Sequence, residues 1–165
     1  MMQSVALDKT KHDRNRFDCG VAPLNNYLQL MAGQQAKKDN SRTFVLQDHV
    51  NPAHIAGFYS LTMAPINLSL LPAALQKKHQ ACTSAGLIAR LAVDRRYQGL
   101  RLGEWLLMDA LQKLLQASDV VGFPLVVVDA KDGAAQFYQQ YGFTPFVDNE
   151  HKLFITIADI RASLA

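Results

Sequence analysis

A strand, a glycine-containing turn, a helix and a second apolar strand follow one another between residues 86 and 130. Residues 86–94 (GLIARLAVD) predict a strand, and residues 102–115 space their apolar side chains for a helix that covers a sheet. Residues 123–130 (FPLVVVDA) are apolar nearly throughout, which is typical of a parallel strand covered on both faces. Such a strand-helix-strand crossover predicts an α/β fold with a mixed sheet and helices on both of its faces.

The flanking segments supply further elements on both sides of this crossover. Pro23 opens a helical pattern that ends near Gly33 or runs to Ala36. The other predicted elements are helices at 69–79 and 132–141 and strands at 3–7, 43–48, 54–64 and 152–158, the middle two forming a hairpin. No linker, repeat or low-complexity block interrupts the 165 residues, so residues 1–165 are predicted to form a single domain.

Composition excludes several classes of protein. No stretch approaches the roughly 20 apolar residues of a membrane helix, and the N-terminus is charged where a signal peptide needs an apolar core. We therefore expect a cytoplasmic protein. Cys19 and Cys82 are the only cysteines, and no CxxC or HxxxH pair offers the spacing of zinc ligands, so no metal is expected.

The net charge of +3 is unevenly distributed along the chain. Between residues 77 and 101, Asp94 is the only acid facing six basic residues, namely Lys77, Lys78, Arg90, Arg95, Arg96 and Arg101. Such a segment suits a surface that faces phosphates, although an ordinary solvated basic face has the same composition.

The turn between the strand at 86–94 and the helix from residue 102 has the sequence features of a loop that binds a phosphate group. A glycine-containing loop at a helix N-terminus offers main-chain N–H groups and the positive end of the helix dipole to an anion. The spacing Gln98-Gly99-Leu100-Arg101-Leu102-Gly103 matches neither a P-loop nor a dinucleotide fingerprint. A tight turn with a packing glycine would have the same residues.

This loop resembles the acetyl-CoA motif [QR]xxGx[GA] of the GNAT acetyltransferases, except that Arg101 stands where the family has glycine. A second segment, residues 137–143 (FYQQYGF), is similar to the FYxxxGF ending of the fourth GNAT helix. The resemblance implies a GNAT fold, with a mixed central sheet of six to seven strands flanked by helices. It also implies that acetyl-CoA is the co-substrate and is bound by Leu91, Ala92, Val93, Gln98, Gly99, Leu100, Arg101, Leu102 and Gly103.

Phe17-Asp18-Cys19-Gly20, Leu24-Asn25 and residues 86–94 resemble one branch of that family, the bacterial GNAT toxins of toxin-antitoxin pairs. The resemblance implies a toxin that acetylates the α-amino group of aminoacyl-tRNA, blocks translation and is neutralised by a ribbon-helix-helix antitoxin. Two alternatives stay open: a housekeeping GNAT that acetylates a small amine or protein N-terminus, and a degenerate GNAT that only binds a ligand or partner. The sequence also leaves open whether a homodimer forms.

Tyr138 matches the tyrosine that GNAT enzymes commonly place beside the sulfur, and a phenol is a sensible proton donor to a thiolate. We therefore assign it as the general acid, with Tyr141, one helical turn away, as the local competitor. No general base has a motif around it. Arg90 is a charge in an apolar strand, where it faces either substrate or an ion-pair partner. The basic residues expected to contact tRNA phosphates are Lys37, Lys38, Arg42, Lys77, Lys78, Arg95 and Arg96. For Arg95 and Arg96 the 3′-phosphate of CoA is the alternative partner.

Overall fold

A computed structural model describes residues 3–82, 84–130 and 133–164. Its strands are β1 Ser4–Ala6, β2 Arg42–Gln47, β3 Ile55–Pro65, β4 Ser84–Val93, β5 Leu125–Asp129, β6 Thr144–Phe146 and β7 Asn149–Thr156. Its α-helices are α1 Ala22–Asn26, α2 Ala32–Lys37, α3 Ala73–Lys78, α4 Leu102–Val120, α5 Ala135–Gln140 and α6 Ile157–Leu164. Among the residues described, no helix is long and apolar enough to cross a membrane.

The strands form one mixed sheet in the order β1-β2-β3-β4-β5-β7-β6. β2 and β3 are antiparallel, as the predicted hairpin requires, whereas β4 and β5 are parallel with Gly86 opposite Val126 and Ile88 opposite Val128. β5 then pairs antiparallel with β7. The predicted crossover and the mixed sheet of six to seven strands are confirmed.

The described residues fall into two compact units. The first runs up to Thr62 and includes Ala89–Ala110. Its buried core joins the N-terminal helices to the inner strands and contains Phe17, Tyr27, Leu28, Ala32, Val45, Ile55, Phe58 and Ala92. The Asp109 carboxylate of α4 accepts hydrogen bonds from the hydroxyl groups of Ser4 on β1 and Tyr59 on β3. One side chain thus links the helix to two strands.

The second unit comprises Met63–Ile88 and the chain from Leu111 onward. Its apolar cluster contains Leu71, Ala85, Leu125, Phe146 and Phe154. Gly86 of β4 packs closely here, because a Cβ at this position would lie 3.0 Å from the Phe123 ring and 3.1 Å from Leu114. α5 and the strands that follow it belong to this unit.

The structure departs from the sequence-based prediction at both ends of the chain. The predicted helix from Pro23 is interrupted by a π-helical segment, Tyr27–Met31, before α2 begins. The predicted strand at 152–158 ends at Thr156, where the Thr156 hydroxyl accepts a hydrogen bond from the Asp159 N–H and caps α6. β6 was not predicted, α4 runs five residues further than expected, and the predicted start of the helix at 132 lies outside the described residues.

Gly57 of β3 lets α4 approach the sheet closely. A Cβ added there would lie 2.7 Å from Leu106 Cδ1 and 3.0 Å from the Ala92 carbonyl oxygen. The Leu106 methyl group can rotate away, but the β4 backbone cannot. Gly57→Ala is therefore expected to lower the free energy of unfolding by about 1–3 kcal/mol, measured by chemical denaturation.

Gly122→Ala is the matched control, because a Cβ at Gly122 would meet no atom within 4 Å and its φ is not positive. We expect this variant to change the free energy of unfolding by no more than about 0.5 kcal/mol. Equal stability of the two variants would contradict the close approach at Gly57.

Candidate active site

In the C-terminal half of β4, the main-chain N–H and C=O groups of successive residues point alternately toward β3 and away from it. The Asp94 N–H donates to the Ala56 carbonyl at 2.9 Å, and the Ala92 carbonyl lies against Gly57, so these groups face β3. Because backbone direction alternates along a strand, the main-chain groups of Leu91 and Val93 point to the opposite edge. The Val93 carbonyl there accepts a hydrogen bond from Gln98 Nε2 at 3.0 Å. The N–H groups of Leu91 and Val93 are thus directed away from β3.

The loop after β4 ends at the N-terminus of a long helix. Arg95–Tyr97 form a 3-10 turn, Gly99 has φ +85°, and α4 begins at Leu102. The first intrahelical bond runs from the Trp105 N–H to the Arg101 carbonyl, so the N–H groups of the three residues between them have no acceptor inside the helix. A Cβ at Gly99 would meet no atom within 4 Å, so the loop surface at Gly99 is open. The loop fits an anionic phosphate.

Arg101 has a backbone conformation that favours glycine. Its φ is +60°, in the left-handed region where a residue other than glycine is strained, and its side chain is exposed. The conformation at this position is thus one that a motif glycine adopts without strain. The arginine adds a guanidinium group at the loop surface.

A buried carboxylate holds the start of this loop. Asp94 is 1% exposed and accepts hydrogen bonds from the Asp18 N–H at 3.0 Å and from the Arg96 N–H at 2.9 Å. The Arg96 guanidinium adds two more, Nε at 3.0 Å and Nη2 at 3.1 Å. Burial disfavours the charged form of Asp94, but the hydrogen bonds from Arg96 and Asp18 outweigh it and lower the pKa of the carboxyl group.

Two further contacts tie the loop to distant segments. Gln98 Nε2 also lies 3.4 Å from the Cys19 carbonyl, and the Tyr97 hydroxyl donates to the Asp48 carboxylate. That bond, together with the Val50 and Asn51 N–H groups, lowers the pKa of Asp48 to about 2. Sequence reasoning missed Asp48 and Tyr97, because 49 residues separate them and neither lies in a motif.

Tyr138 lies on α5 in an aromatic cluster. Its ring is 5.2 Å from Phe137 and 5.4 Å from Phe143, both in edge-on geometry, and the side chain is 7% exposed. Burial raises the pKa of Tyr138 to about 12. The Tyr138 hydroxyl has no hydrogen-bond partner among the described residues. Every fully buried side-chain oxygen in that part of the chain does have a partner, so the Tyr138 hydroxyl is not fully buried and touches solvent. Tyr141, the competitor, packs its ring 5.2 Å from Phe137 and is partly exposed.

The predicted substrate residues lie in several different environments. The Arg90 guanidinium lies 4.2 Å above the Tyr27 ring, in a cation–π contact. Arg96 is held by Asp94, whereas Arg95 is exposed and lies 3.8 Å from Asp18. Lys37 and Lys38 end α2, Arg42 pairs with Asp39 at 2.6 Å, and Lys77 and Lys78 lie at the end of α3 in the second unit. Lys37 and Arg42 line one groove.

Residues 39–145 match the family described as an acetyltransferase (GNAT) domain. This range contains β4 with the loop that follows it, and α5 with Tyr138. The chain belongs to the GNAT acetyltransferase family. Two GNAT relatives are similar over most of their length. One is the probable toxin TacT of Sinorhizobium fredii, 29% identical over 94% of this chain and 91% of the relative. The other is the tRNA-acetylating toxin of Mycobacterium tuberculosis, 30% identical over 91% of this chain and 89% of the relative.

Solved GNAT structures are similar over the whole chain. AtaT complexed with acetyl-methionyl-tRNAfMet has a TM-score of 0.89 at 27% identity, covering 100% of both chains. AtaTR bound with acetyl-CoA has a TM-score of 0.84 at 27% identity, covering 99% of this chain and 98% of that one. A Tyr-to-Phe mutant of AtaT bound to the C-terminus of the antitoxin AtaR and acetyl-CoA has a TM-score of 0.83 at 27% identity, with coverage of 99% and 98%.

Arg101→Gly is expected to raise the free energy of unfolding by about 1 kcal/mol, because glycine adopts the left-handed conformation without strain. Chemical denaturation measures this change. Arg101→Ala removes the same charge but keeps a Cβ, so it should give no such gain. A gain of equal size in both variants would mean that the arginine charge, and not its backbone conformation, is unfavourable.

Proposed function

We propose that this protein is an acetyl-CoA-dependent N-acetyltransferase that acetylates the α-amino group of aminoacyl-tRNA and so blocks translation. The observation that carries the proposal is the likeness over the full chain to AtaT, whose solved complex contains acetyl-methionyl-tRNAfMet. The relative from Mycobacterium tuberculosis is named for the same activity. The loop geometry adds support, because Gly99 and Arg101 both have positive φ in the loop that leads to the N-terminus of α4.

Acetyl-CoA would be held mainly by main-chain atoms. The N–H groups of the segment Gln98–Gly103, with the positive end of the α4 dipole, bind the pyrophosphate. Leu91, Ala92 and Val93 of β4 pair with the pantetheine arm as a neighbouring strand would, and the outward N–H groups of Leu91 and Val93 are the donors for this. One of these N–H groups polarises the thioester carbonyl. The Arg101 guanidinium adds a positive charge beside the phosphates.

Tyr138 supplies the proton for the leaving sulfur. The amine nitrogen forms a bond to the thioester carbon, the carbon–sulfur bond breaks, and the Tyr138 hydroxyl donates its proton to the thiolate. Solvent then returns a proton to the phenolate oxygen, which the solvent contact of the hydroxyl permits. Because burial raises the pKa of Tyr138 to about 12, the group is fully in its donor form at neutral pH.

The acceptor amine needs no dedicated base. An α-amino group has a reference pKa of about 7.7–8.0, well below that of a lysine amine, and esterification to tRNA lowers it further. A large share of the amine is therefore neutral at pH 7, and water takes the proton that is lost on bond formation. An enzyme that acetylates lysine-like amines would need a general base to remove the amine proton, and the sequence offers no residue with a motif for that role.

The partner surfaces follow from charge. We propose that tRNA phosphates are contacted by Lys37, Lys38, Arg42, Lys77, Lys78, Arg90 and Arg95, and more weakly by Arg96, whose charge is compensated by Asp94. An antitoxin whose C-terminus binds the toxin, as AtaR does with AtaT, would neutralise it. A tRNA substrate also places the protein in the cytoplasm. The single-domain organisation over residues 1–165 remains part of the same proposal.

Tyr138→Phe is expected to lower kcat for acetyl transfer to aminoacyl-tRNA by about 100-fold, the lower end of what general acid catalysis contributes. The Kd for acetyl-CoA, measured by calorimetry, should change less than twofold, because the ring and its packing are kept. Tyr141→Phe is the matched control on the same helix and should retain the wild-type rate.

Induced expression in a bacterium gives a second readout of the same pair of variants. The wild type and Tyr141→Phe should arrest growth, and Tyr138→Phe should not. Unchanged turnover in Tyr138→Phe would remove this residue from the mechanism. Normal growth on abundant wild-type protein would instead favour a housekeeping acetyltransferase.

The pH dependence of transfer should be governed by the acceptor and not by Tyr138. At saturating acetyl-CoA, kcat/KM is expected to rise as the α-amino group loses its proton and then to stay level up to pH 10, because the pKa of Tyr138 is about 12. An amide-linked analogue of aminoacyl-adenosine resists alkaline hydrolysis and allows this measurement. A fall with a midpoint near pH 10, the reference value for tyrosine, would contradict the raised pKa.

A further inference from the structure

A groove of the first unit lies apart from the acetyl-CoA loop and shares no residue with it. It has a volume of about 1160 Å³ and runs between β1 with the segment that follows it on one side and α2 with the start of β2 on the other. The mechanism proposed above assigns this groove no ligand. Two of its residues, Lys37 and Arg42, were expected from the sequence to contact tRNA.

The rim of this groove is strongly basic. Lys9, Lys11 and Arg14 stand on one side and Lys37 and Arg42 on the other, and Asp8 is the acidic residue in the described lining. The Arg14 guanidinium approaches α2 where Gly33 leaves room, since a Cβ there would lie 3.8 Å from Arg14 Nη1. Arg42 is partly compensated by Asp39, but the three lysines are exposed. The groove therefore attracts anions.

The floor is apolar and borders a sheet edge. Val5, Leu7, Leu30 and Phe44 line it, and Leu30 is 67% exposed, so its side chain is available for contact. β1 is the terminal strand of the sheet. The Leu7 N–H donates to the Thr43 carbonyl on β2, so by the alternation of an antiparallel ladder the main-chain groups of Ala6 point outward, away from β2.

We propose that this groove binds an extended peptide segment in which acidic side chains alternate with apolar ones. Such a segment would bond its main chain to Ala6, place its apolar side chains on Leu30 and Leu7, and direct its carboxylates to the rim, because side chains alternate along an extended chain. A nucleic-acid strand fits less well. Bases need aromatic platforms, and both rings in the described lining are engaged. Phe44 packs 5.5 Å from Tyr59. His12 is buried, with its ring nitrogens hydrogen-bonded to the Asp8 N–H and the Gln47 side chain.

Occupancy of the groove has a consequence for the reaction, and this consequence alone rests on the proposed function. An acidic segment that engages Lys37 and Arg42 removes two of the cations proposed for tRNA. The peptide would then compete with aminoacyl-tRNA while leaving acetyl-CoA binding unchanged. Binding itself is testable without any activity.

The test uses a fluorescein-labelled decapeptide in which Glu alternates with Val and Thr, and fluorescence anisotropy as the readout. We expect saturable binding that weakens at least tenfold when Gln replaces every Glu, and at least threefold between 50 and 300 mM salt. Lys11→Glu combined with Arg14→Glu should weaken binding at least tenfold, and Leu30→Ser at least threefold. Lys152→Glu, an exposed charge change on β7, is the control and should change Kd less than twofold.

Two other measurements can overturn the proposal. Slower hydrogen exchange at the Ala6 amide is expected when the peptide is bound, and no change there would contradict pairing at the β1 edge. A decauridylate that binds more tightly than the Glu peptide and is lost in the same charge-reversal variant would assign the groove to single-stranded RNA. Equal binding of the Gln peptide, or binding of none of these probes, would remove the groove as an acidic-peptide site. None of these results depends on acetyl transfer.

Discussion

The Asp94 carboxylate is the interaction on which the proposed acetyl-CoA loop depends. Asp94 is buried and directly follows β4, where the loop begins. Its carboxylate accepts hydrogen bonds from the Asp18 N–H and from both the N–H and the side chain of Arg96. A buried carboxylate is tolerated there because these hydrogen bonds, two of them from the Arg96 guanidinium, compensate for its loss of contact with water. Removing the carboxylate would take away the hydrogen-bond acceptor of the Asp18 N–H and of the Arg96 guanidinium. The loop residues that follow Asp94 depend on these contacts for their position.

The Phe17-Asp18-Cys19-Gly20 segment gains a physical explanation from the same contacts. Asp18 Oδ1 accepts from the Gly20 N–H and from Asn25 Nδ2, and Asn25 Oδ1 accepts from the Cys19 N–H. The segment is thus a self-bonded turn that offers its backbone to Asp94, Arg95 and Gln98. The segment that resembles the toxin branch in sequence therefore holds the loop after β4 in place through hydrogen bonds. This structural role explains the segment without a chemical role for Cys19.

Much of the fold was predictable, because its signals are local. The apolar run of β5, the helical spacing of α4 and the turn before β3 each report on neighbours in sequence. The left-handed conformation of Arg101 could not be predicted, since arginine gives no local preference for it, and the Asp48–Tyr97 contact depends on chain segments far apart. The strand predicted at 152–158 includes the first two residues of α6, because Ile157 continues the apolar pattern of β7. The threonine at 156, which caps α6, is the sequence signal for the boundary. In the site, motif matching singled out Tyr138, but only the structure gives its buried ring and solvent-touching hydroxyl.

The π-helical segment at Tyr27–Met31 lets the N-terminal helix hold one extra residue without changing the faces of the residues that follow. The Ala32 N–H bonds to the Tyr27 carbonyl, five residues back, so this turn holds one residue more than an α-helical turn. Deleting one residue from this turn would close it to a regular α-helical turn, and Ala32 would stay in the core and Lys37 at the groove. The same deletion in a regular stretch of α-helix would rotate everything after it by about 100°. Homologous chains can therefore differ by one residue in this short stretch and still present the same face.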